Sequence, residues 1–455
     1  MKLSLLLTGP ETDLAAMLDA REQRAAAQQR LLDAFPMTLV SFTMNIPGPH
    51  KVFPLAVQGF EEGLRLLTYY FRSWGFPICH REIQRPSTGC QAFFSTSAPP
   101  EAVKQRLVWL EDHCPLGRLF DLDVLDPQGQ KISRQALGLP GRTCLICSGP
   151  VFLCSRSRAH SLTELLEKTC RILLDYFDEE YARRVSGLAV RALLQEVRTT
   201  PKPGLVDLDN SGAHSDMDET TFEESALSLM PWFQRFVLYG IRQEDRPLSG
   251  LLPGLRELGM QAEVHMLLAT GGVNTHKGLI FSMGILLCSL GCCRSRGLPL
   301  GRVQLQQVCR QISSPLSRDF PDLKGMTHGE CSYRSHGVTG ARGQAMAGFP
   351  TLFSAALPAL DRWEGNPGAG TAALLEIMAV TQDTNVISRS SCQTAQALRG
   401  ELADFLSQAP SMDAILDYAR KLDQRLIRKN ISPGGSADLL ALGFFLKLLE
   451  RNSLL

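Results

Sequence analysis

Strand signals crowd into the first part of this chain and nearly vanish beyond Asp178–Arg183, while helical periodicity runs from there to the last residues. Segregation of the two patterns along the chain points to an α+β part followed by a separate helical part. Its 455 residues also exceed what a single ordinary core accommodates. Two domains are therefore expected, residues 1–180 and 181–455, the first α/β (α+β) around a mixed sheet and the second an all-α helical bundle. Charge clusters between Asp178 and Arg183 without Pro, Gly or Ser, so a short connection is expected there.

Composition narrows the class. With 44% hydrophobic and 20% charged residues the chain reads as soluble and globular, and its formal net charge of +1 argues against broad nucleic-acid binding while allowing a local phosphate site. The opening MKLSLLLTGPE lacks the length and small-residue pattern of a signal peptide, so no export is expected. The longest uncharged run, Gly278 to Cys293, falls short of the roughly 20 residues of a membrane helix and predicts a buried core helix instead. Thirteen cysteines without a framework fit the reducing cytoplasm.

In the first part, helical spacing covers Glu11–Phe35 and Val57–Trp74, with a strand from Thr38 toward the turn formers Asn45, Pro47 and Gly48. In GRLFDLDV, strand alternation puts Asp121 and Asp123 on one face and Phe120, Leu122 and Val124 on the other. Two like charges on one face are tolerated when a cation lies between them, which points to a Mg²⁺ site for phosphoryl or nucleotidyl transfer; solvated acids at a strand end are the alternative. Downstream, Cys144, Cys147, Cys154 and His160 have the types of four zinc ligands, but Leu145, Ile146, Val151 and Phe152 around them read as strand core with small buried thiols, the favoured alternative. Arg142, Arg156, Arg158 and His160 add positive charge, and the alternate placing of Arg156 and Arg158 predicts two guanidinium forks on one face of an extended segment, suited to phosphate.

In the second part, polar motifs sit where helical patterns end. TPKPGLVDLDNSGAHSDMD brings Lys202, Asp207, Asp209, Asp216 and Asp218; spacing of two between the last pair allows shared metal binding, and N-capping near Thr220 and Thr221 accounts for one of them. ATGGVNTHKG sets Gly271, Gly272, Asn274, His276 and Lys277 between two apolar helices. Glycines let backbone N–H groups approach an anion and the following helix offers its positive end, so this stretch predicts a phosphate loop; a helix C-cap followed by an N-cap is the alternative. GARGQA carries Arg342, QDTN carries Asp383, and SPGGSADLLALG repeats the loop-to-helix logic with Gly434, Gly435 and Ser436. Together they describe helix ends converging on one polar cleft.

Over about Thr12 to Phe177, the motifs SFTMNIPGP, GRLFDLDV, ISRQALGLPGRTCLIC and CSRSRAHS resemble the apo-citrate lyase phosphoribosyl-dephospho-coenzyme A transferase family. The resemblance implies a nucleotidyltransferase-like domain that moves a phosphoribosyl-dephospho-coenzyme A group onto a serine of the acyl carrier (gamma) subunit of citrate lyase, with release of pyrophosphate. Asp121 and Asp123 would then hold metal while the arginines cradle the triphosphate. From about Arg184 to Leu455, TPKPGLVD, GAHSDMD, ATGGVNTHKG, GARGQA, QDTN and SPGGSADLLA, in this order, resemble the triphosphoribosyl-dephospho-coenzyme A synthase family. That implies ATP and 3′-dephospho-coenzyme A as substrates, with a ribose hydroxyl displacing adenine at C1′ of ATP. Lys202, Lys277, Arg342, the glycine loops and Mg²⁺ would neutralise the triphosphate, and Asp207, Asp216, Asp218 and Asp383 are the acids for metal, cation stabilisation and base. The chain departs from the family pattern at Gln344, where an acid often stands, at His328, where Asn does, and at Ser390 and Ser391, where glycines do. The expectation is a bifunctional enzyme that builds and attaches the citrate lyase prosthetic group, with small nucleotides and a carrier protein as its partners and neither nucleic acid nor membrane. Synthesis for malonate decarboxylase, or a carrier-binding scaffold with one inactive half, are the alternatives.

Overall fold

The computed structural model describes residues 3–320 and 328–455. The chain divides into two compact units, Met1–Phe177 and Asp178–Leu455. In place of the connection expected between Asp178 and Arg183, one helix, Leu162–Val197, continues through those residues. Nothing in DEEYAR breaks a helix, and an i,i+3 ion pair between Glu180 and Arg183, 2.8 Å, supports the turn.

The first unit is built on four strands, β1 (Thr38–Met44), β2 (Ile78–Gln84), β3 (Gln91–Thr96) and β4 (Phe120–Leu125), in the order β2-β3-β1-β4. Every pairing is antiparallel, which corrects the expected mixed sheet. The tight turn through Pro86–Gly89 leaves β2 and β3 no other way to pair, and β4 closes on the free side of β1 as an edge strand. Val40, Phe42, Phe94, Leu122 and Val124 pack under the helices Pro54–Ser73 and Pro100–His113, while Leu39 and Phe93 on the opposite face meet the helix Leu14–Ala34. Each fully buried phenylalanine here contributes roughly 1.5–3 kcal/mol.

In the second unit there is no strand among the described residues. Its centre is the helix Lys277–Ser295, buried from Leu279 to Cys293 except at Phe281. By length and hydropathy it could cross a membrane, but its apolar surface is spent on its neighbours. It packs against Glu219–Arg242 at backbone distance because both helices carry glycine at the crossing. A Cβ on Gly240 would lie 2.2 Å from the carbonyl oxygen of Cys288, and one on Gly291 would lie 2.2 Å from that of Val237. Gly240→Ala must therefore push the two helices apart. We expect it to cost at least about 1–3 kcal/mol in denaturant unfolding of the second unit; an unchanged midpoint would show that the crossing is looser than described.

Candidate active sites

The motifs that sequence placed at helix ends meet in the second unit around a cavity of about 710 Å³. Lys202, His214 and Asp216 come from the first motif, Asn274 to Gly278 from the second, Gly340, Ala341, Gly343 and Gln344 from the third, Asp383 from the fourth, and Gly434, Gly435 and Asp438 from the last. The helices Lys277–Ser295 and Gly434–Arg451 begin at its wall, so their unsatisfied N–H groups and positive ends point toward it.

Asp383 is 5% exposed and holds two motifs together. Its Oδ1 accepts from the backbone N–H of Asn385 at 2.9 Å, and its Oδ2 accepts from the Ser436 N–H at 2.8 Å and hydroxyl at 2.9 Å. Burial raises its pKa, and these donors oppose the shift. Gly435 eases this approach, because a Cβ there would sit 3.2 Å from the Asp383 carboxylate, a tight contact. Lys202, also buried, donates to Glu196 at 2.7 Å, and both line the cavity. His276 is 4% exposed with its Nδ1 2.7 Å from the Ser225 hydroxyl; burial, reinforced by Lys202, lowers its pKa to about 3, so the ring is neutral.

Several residues that sequence assigned to chemistry have other work. Asp207 does not line the cavity: its carboxylate accepts from the backbone N–H groups of Lys202, Asp209 and Asn210 and so shapes the loop. Asp218 caps the helix Glu219–Arg242, accepting from the Thr221 N–H at 2.9 Å, and does not line the cavity beside Asp216. Gly271 and Gly272, with φ of +63° and +95°, lie off the cavity and end the helix Leu252–Ala269, where the Gly272 N–H donates to the Leu267 carbonyl at 2.7 Å. The cap is their role, in place of the phosphate grip expected. Ser436 spends its hydroxyl on Asp383 and does not face the cavity. Ser390 and Ser391 lie outside it as well, Ser391 capping Cys392–Ser407, whereas Gln344 lines it and donates to the Thr351 hydroxyl at 2.9 Å. Thr327 and the His328 side chain fall outside the described residues.

Arg342 faces an adjoining cavity of about 630 Å³, together with Arg256 and Arg318 and the apolar side chains of Leu255, Phe281 and Phe320. Lys277, Gly278 and Thr339 to Ala341 border both spaces. Lys277 pairs with Glu263 at 3.0 Å and Arg342 with Glu330 at 3.5 Å.

In the first unit, β4 alternates as its sequence requires. Phe120, Leu122 and Val124 are buried, while Asp121 and Asp123 lie on the other face, opposite Thr43 and Ser41 of β1. Lys131 reaches Asp123 at 2.6 Å. Arg24, on the helix Leu14–Ala34, lies near enough to both acids for their charges to oppose the lowering of its pKa by burial. The arginines expected beside the pair are elsewhere. Arg142 donates to Glu111 and to the Phe120 carbonyl, the latter at 2.7 Å, and lines a separate cavity of about 460 Å³ with Arg158 and His160. Arg156 lies on the helix Val151–Ser157 and does not line that cavity, and Arg158 ends the helix at φ +50°, so the two do not share a face of an extended segment.

Comparison with known proteins assigns a family to each unit. Residues 182–454 match the family model of ATP:dephospho-CoA triphosphoribosyl transferase, and residues 12–176 match that of apo-citrate lyase phosphoribosyl-dephospho-CoA transferase. Protein CitXG of Haemophilus influenzae is 34% identical over 98% of this chain and 98% of its own length. The chain belongs to the CitXG family. Protein CitXG of Leuconostoc mesenteroides is 32% identical over 97% of this chain and 98% of its own. A 2-(5''-triphosphoribosyl)-3'-dephosphocoenzyme-A synthase of Haemophilus ducreyi is 37% identical over 67% of this chain and 99% of its own. Membership makes the chain a bifunctional transferase of citrate lyase prosthetic-group synthesis and attachment.

Sequence reading missed the acid that the second-unit cavity isolates most. Asp438 makes no hydrogen bond or ion pair with the described residues and stands beside Gly278, where a Cβ would come 2.5 Å from its Oδ2. Burial raises its pKa well above the carboxylate range, and the charges of Asp383 and Glu196 add to the shift. Its signal was the acid two residues after Ser436, indistinguishable by type from Asp207. A carboxyl with a raised folded-state pKa stabilises the fold below its unfolded pKa and loses that contribution as pH rises through the folded value. Asp438→Asn should thus gain thermal stability over the parent as pH climbs from 5 to 8, and a difference in melting temperature independent of pH would contradict the raised pKa.

Proposed function

We propose that ATP and 3′-dephospho-coenzyme A react in the cavity ringed by Asp216, His276, Gly278, Asp383 and Asp438. The observation that carries this reading is Asp438, a carboxylate with no partner of its own in a cavity otherwise knit by hydrogen bonds. A ribose hydroxyl of dephospho-coenzyme A bonds to C1′ of ATP while the bond from C1′ to adenine breaks. Asp438 takes the proton of that hydroxyl, its raised pKa making it a stronger base than a solvated acid, and the departing adenine takes a proton from water. Asp383, fixed by three donors, holds negative charge where C1′ becomes positive. The two helix N-termini, Lys277 and, in the adjoining cavity, Arg256 and Arg342 receive the phosphates; Lys277 then exchanges Glu263, Arg256 exchanges Asp319 and Arg342 exchanges Glu330 for a phosphate oxygen. Mg²⁺ entering with ATP would neutralise phosphate charge, and Asp216 is the exposed cavity acid suited to hold it.

In the first unit we place phosphoryl transfer at Asp121 and Asp123. Their oxygens share one face of an edge strand, as a hard cation requires, and Arg24 adds charge opposite them. The serine oxygen of the carrier, in this reading the gamma subunit of citrate lyase, bonds to the α-phosphorus of the precursor, its proton passes to a carboxylate, and pyrophosphate leaves. The protein works in the cytoplasm in this reading, where its thirteen cysteines, none paired in a disulfide, stay reduced.

Purified protein given ATP, 3′-dephospho-coenzyme A, Mg²⁺ and the apo-carrier should release adenine and increase the carrier mass by one phosphoribosyl-dephospho-coenzyme A group. Asp123→Asn should lower carrier modification by about 10²-fold or more and leave adenine release intact. Loss of both activities in a folded variant would refute the division between the units.

A further inference from the structure

We propose that Cys144, Cys147, Cys154 and His160 form a structural zinc site in the first unit. One ligand atom from each lies within 4.8 Å of the others. A tetrahedral zinc with three sulfurs and a nitrogen spaces its ligands by roughly 3.7 Å, so contraction by about an ångström completes the sphere. The Cys147 and Cys154 sulfurs already stand 3.4 Å apart. His160 Nε2 is buried without a hydrogen-bond partner, an orphan that a metal, or the ring nitrogen's partner beside one, would satisfy.

The backbone is shaped for this purpose. An isolated bridge between Thr143 and Pro150 closes a tight loop in which the Cys144 N–H donates to the Gly149 carbonyl at 2.6 Å. The Ile146 N–H donates to the Cys144 sulfur at 3.4 Å, the kind of contact that stabilises a thiolate. Ser148 takes a left-handed conformation at φ +59° to turn the chain, and Arg158 does the same at φ +50° after the short helix, which brings His160 back to the three cysteines.

The alternative of a strand core does not survive. The segment is loop and short helix, and Val151 and Phe152 are 42% and 60% exposed. From Asp126 to Ser161 Cys144 is the single buried residue, and Ile132 and Leu145 reach the main core only part-buried, so hydrophobic packing holds this long excursion weakly. Small units in that condition are commonly stapled by metal. Binding would release up to three thiol protons to solvent and leave a centre of net charge −1, near the guanidinium of Arg118, which donates to the Thr143 carbonyl at 2.6 Å. The staple would fix the loop that carries Arg142, Thr143 and Arg158 to the wall of the smaller cavity. It is independent of the reaction proposed above.

The full-length protein, purified and dialysed against metal-free buffer, should retain about one zinc per chain by elemental analysis. Cys147→Ser and His160→Ala should lose at least about nine-tenths of it, and Cys79→Ser, at an exposed cysteine outside the cluster, should keep it. Cobalt substitution of the parent should produce thiolate-to-metal charge-transfer absorption and the visible bands of a tetrahedral site. Because a ligand variant can misfold, the parent is also titrated: a zinc chelator should add three titratable thiols and speed proteolysis between residues 126 and 161. Zinc content no higher in the parent than in Cys147→Ser, thiol counts unmoved by chelator, or a Cys147–Cys154 disulfide in the isolated protein would each overturn the proposal.

Discussion

A carboxylate buried without compensation is expelled or neutralised, and the second unit is arranged around avoiding that outcome at Asp383. Three donors from two separate loops converge on it, and the missing side chain at residue 435 leaves room for their approach. This one interaction ties the start of Thr384–Arg389 to the start of Gly434–Arg451 and sets where the next acid, Asp438, stands. Gly278 then admits the Asp438 carboxylate from the other side. The two acids differ in consequence. One is saturated and fixed, the other is unpartnered and ready to exchange a proton, a division that burial and hydrogen bonding create from identical side chains.

Glycine serves two purposes that share a physical cause. At Gly240 and Gly291 the missing Cβ lets two long helices touch through their backbones, which brings the apolar helix Lys277–Ser295 close against its neighbour. At Gly278 and Gly435 it lets carboxylates approach the main chain at the cavity wall. Rigid packing below and close approach above keep the helix ends in register, and the polar groups there need little reorganisation when charge develops.

Much of this was legible in the residues. Alternation in FDLDV placed Asp121 and Asp123 on one strand face, and polar motifs interrupting helical patterns foretold a single cleft. Individual roles were less accessible because they depend on partners remote in sequence or on loop geometry. Arg142 looked like a phosphate ligand until Glu111, 31 residues earlier, claimed it. Gly271 and Gly272 carried an anion-loop signature, yet their positive φ serves a helix end. Asp207 and Asp438 are the same residue type in similar motifs; one is turned inward by backbone donors and the other faces the cavity. Arg24 was hidden in an Arg/Gln/Ala-rich helix whose pattern said nothing of what it covers. The cysteine spacing was legible, but the apolar residues beside it suggested a core that the fold does not build.

The claim on which the rest turns is that Asp438 moves the proton of the attacking hydroxyl. Single-turnover adenine release by Asp438→Asn, measured alongside its affinity for ATP, tests it most directly. The structure predicts a rate lower by about 10²–10⁴-fold with ATP affinity kept within a few-fold. Release at the parental rate by a folded variant would contradict it.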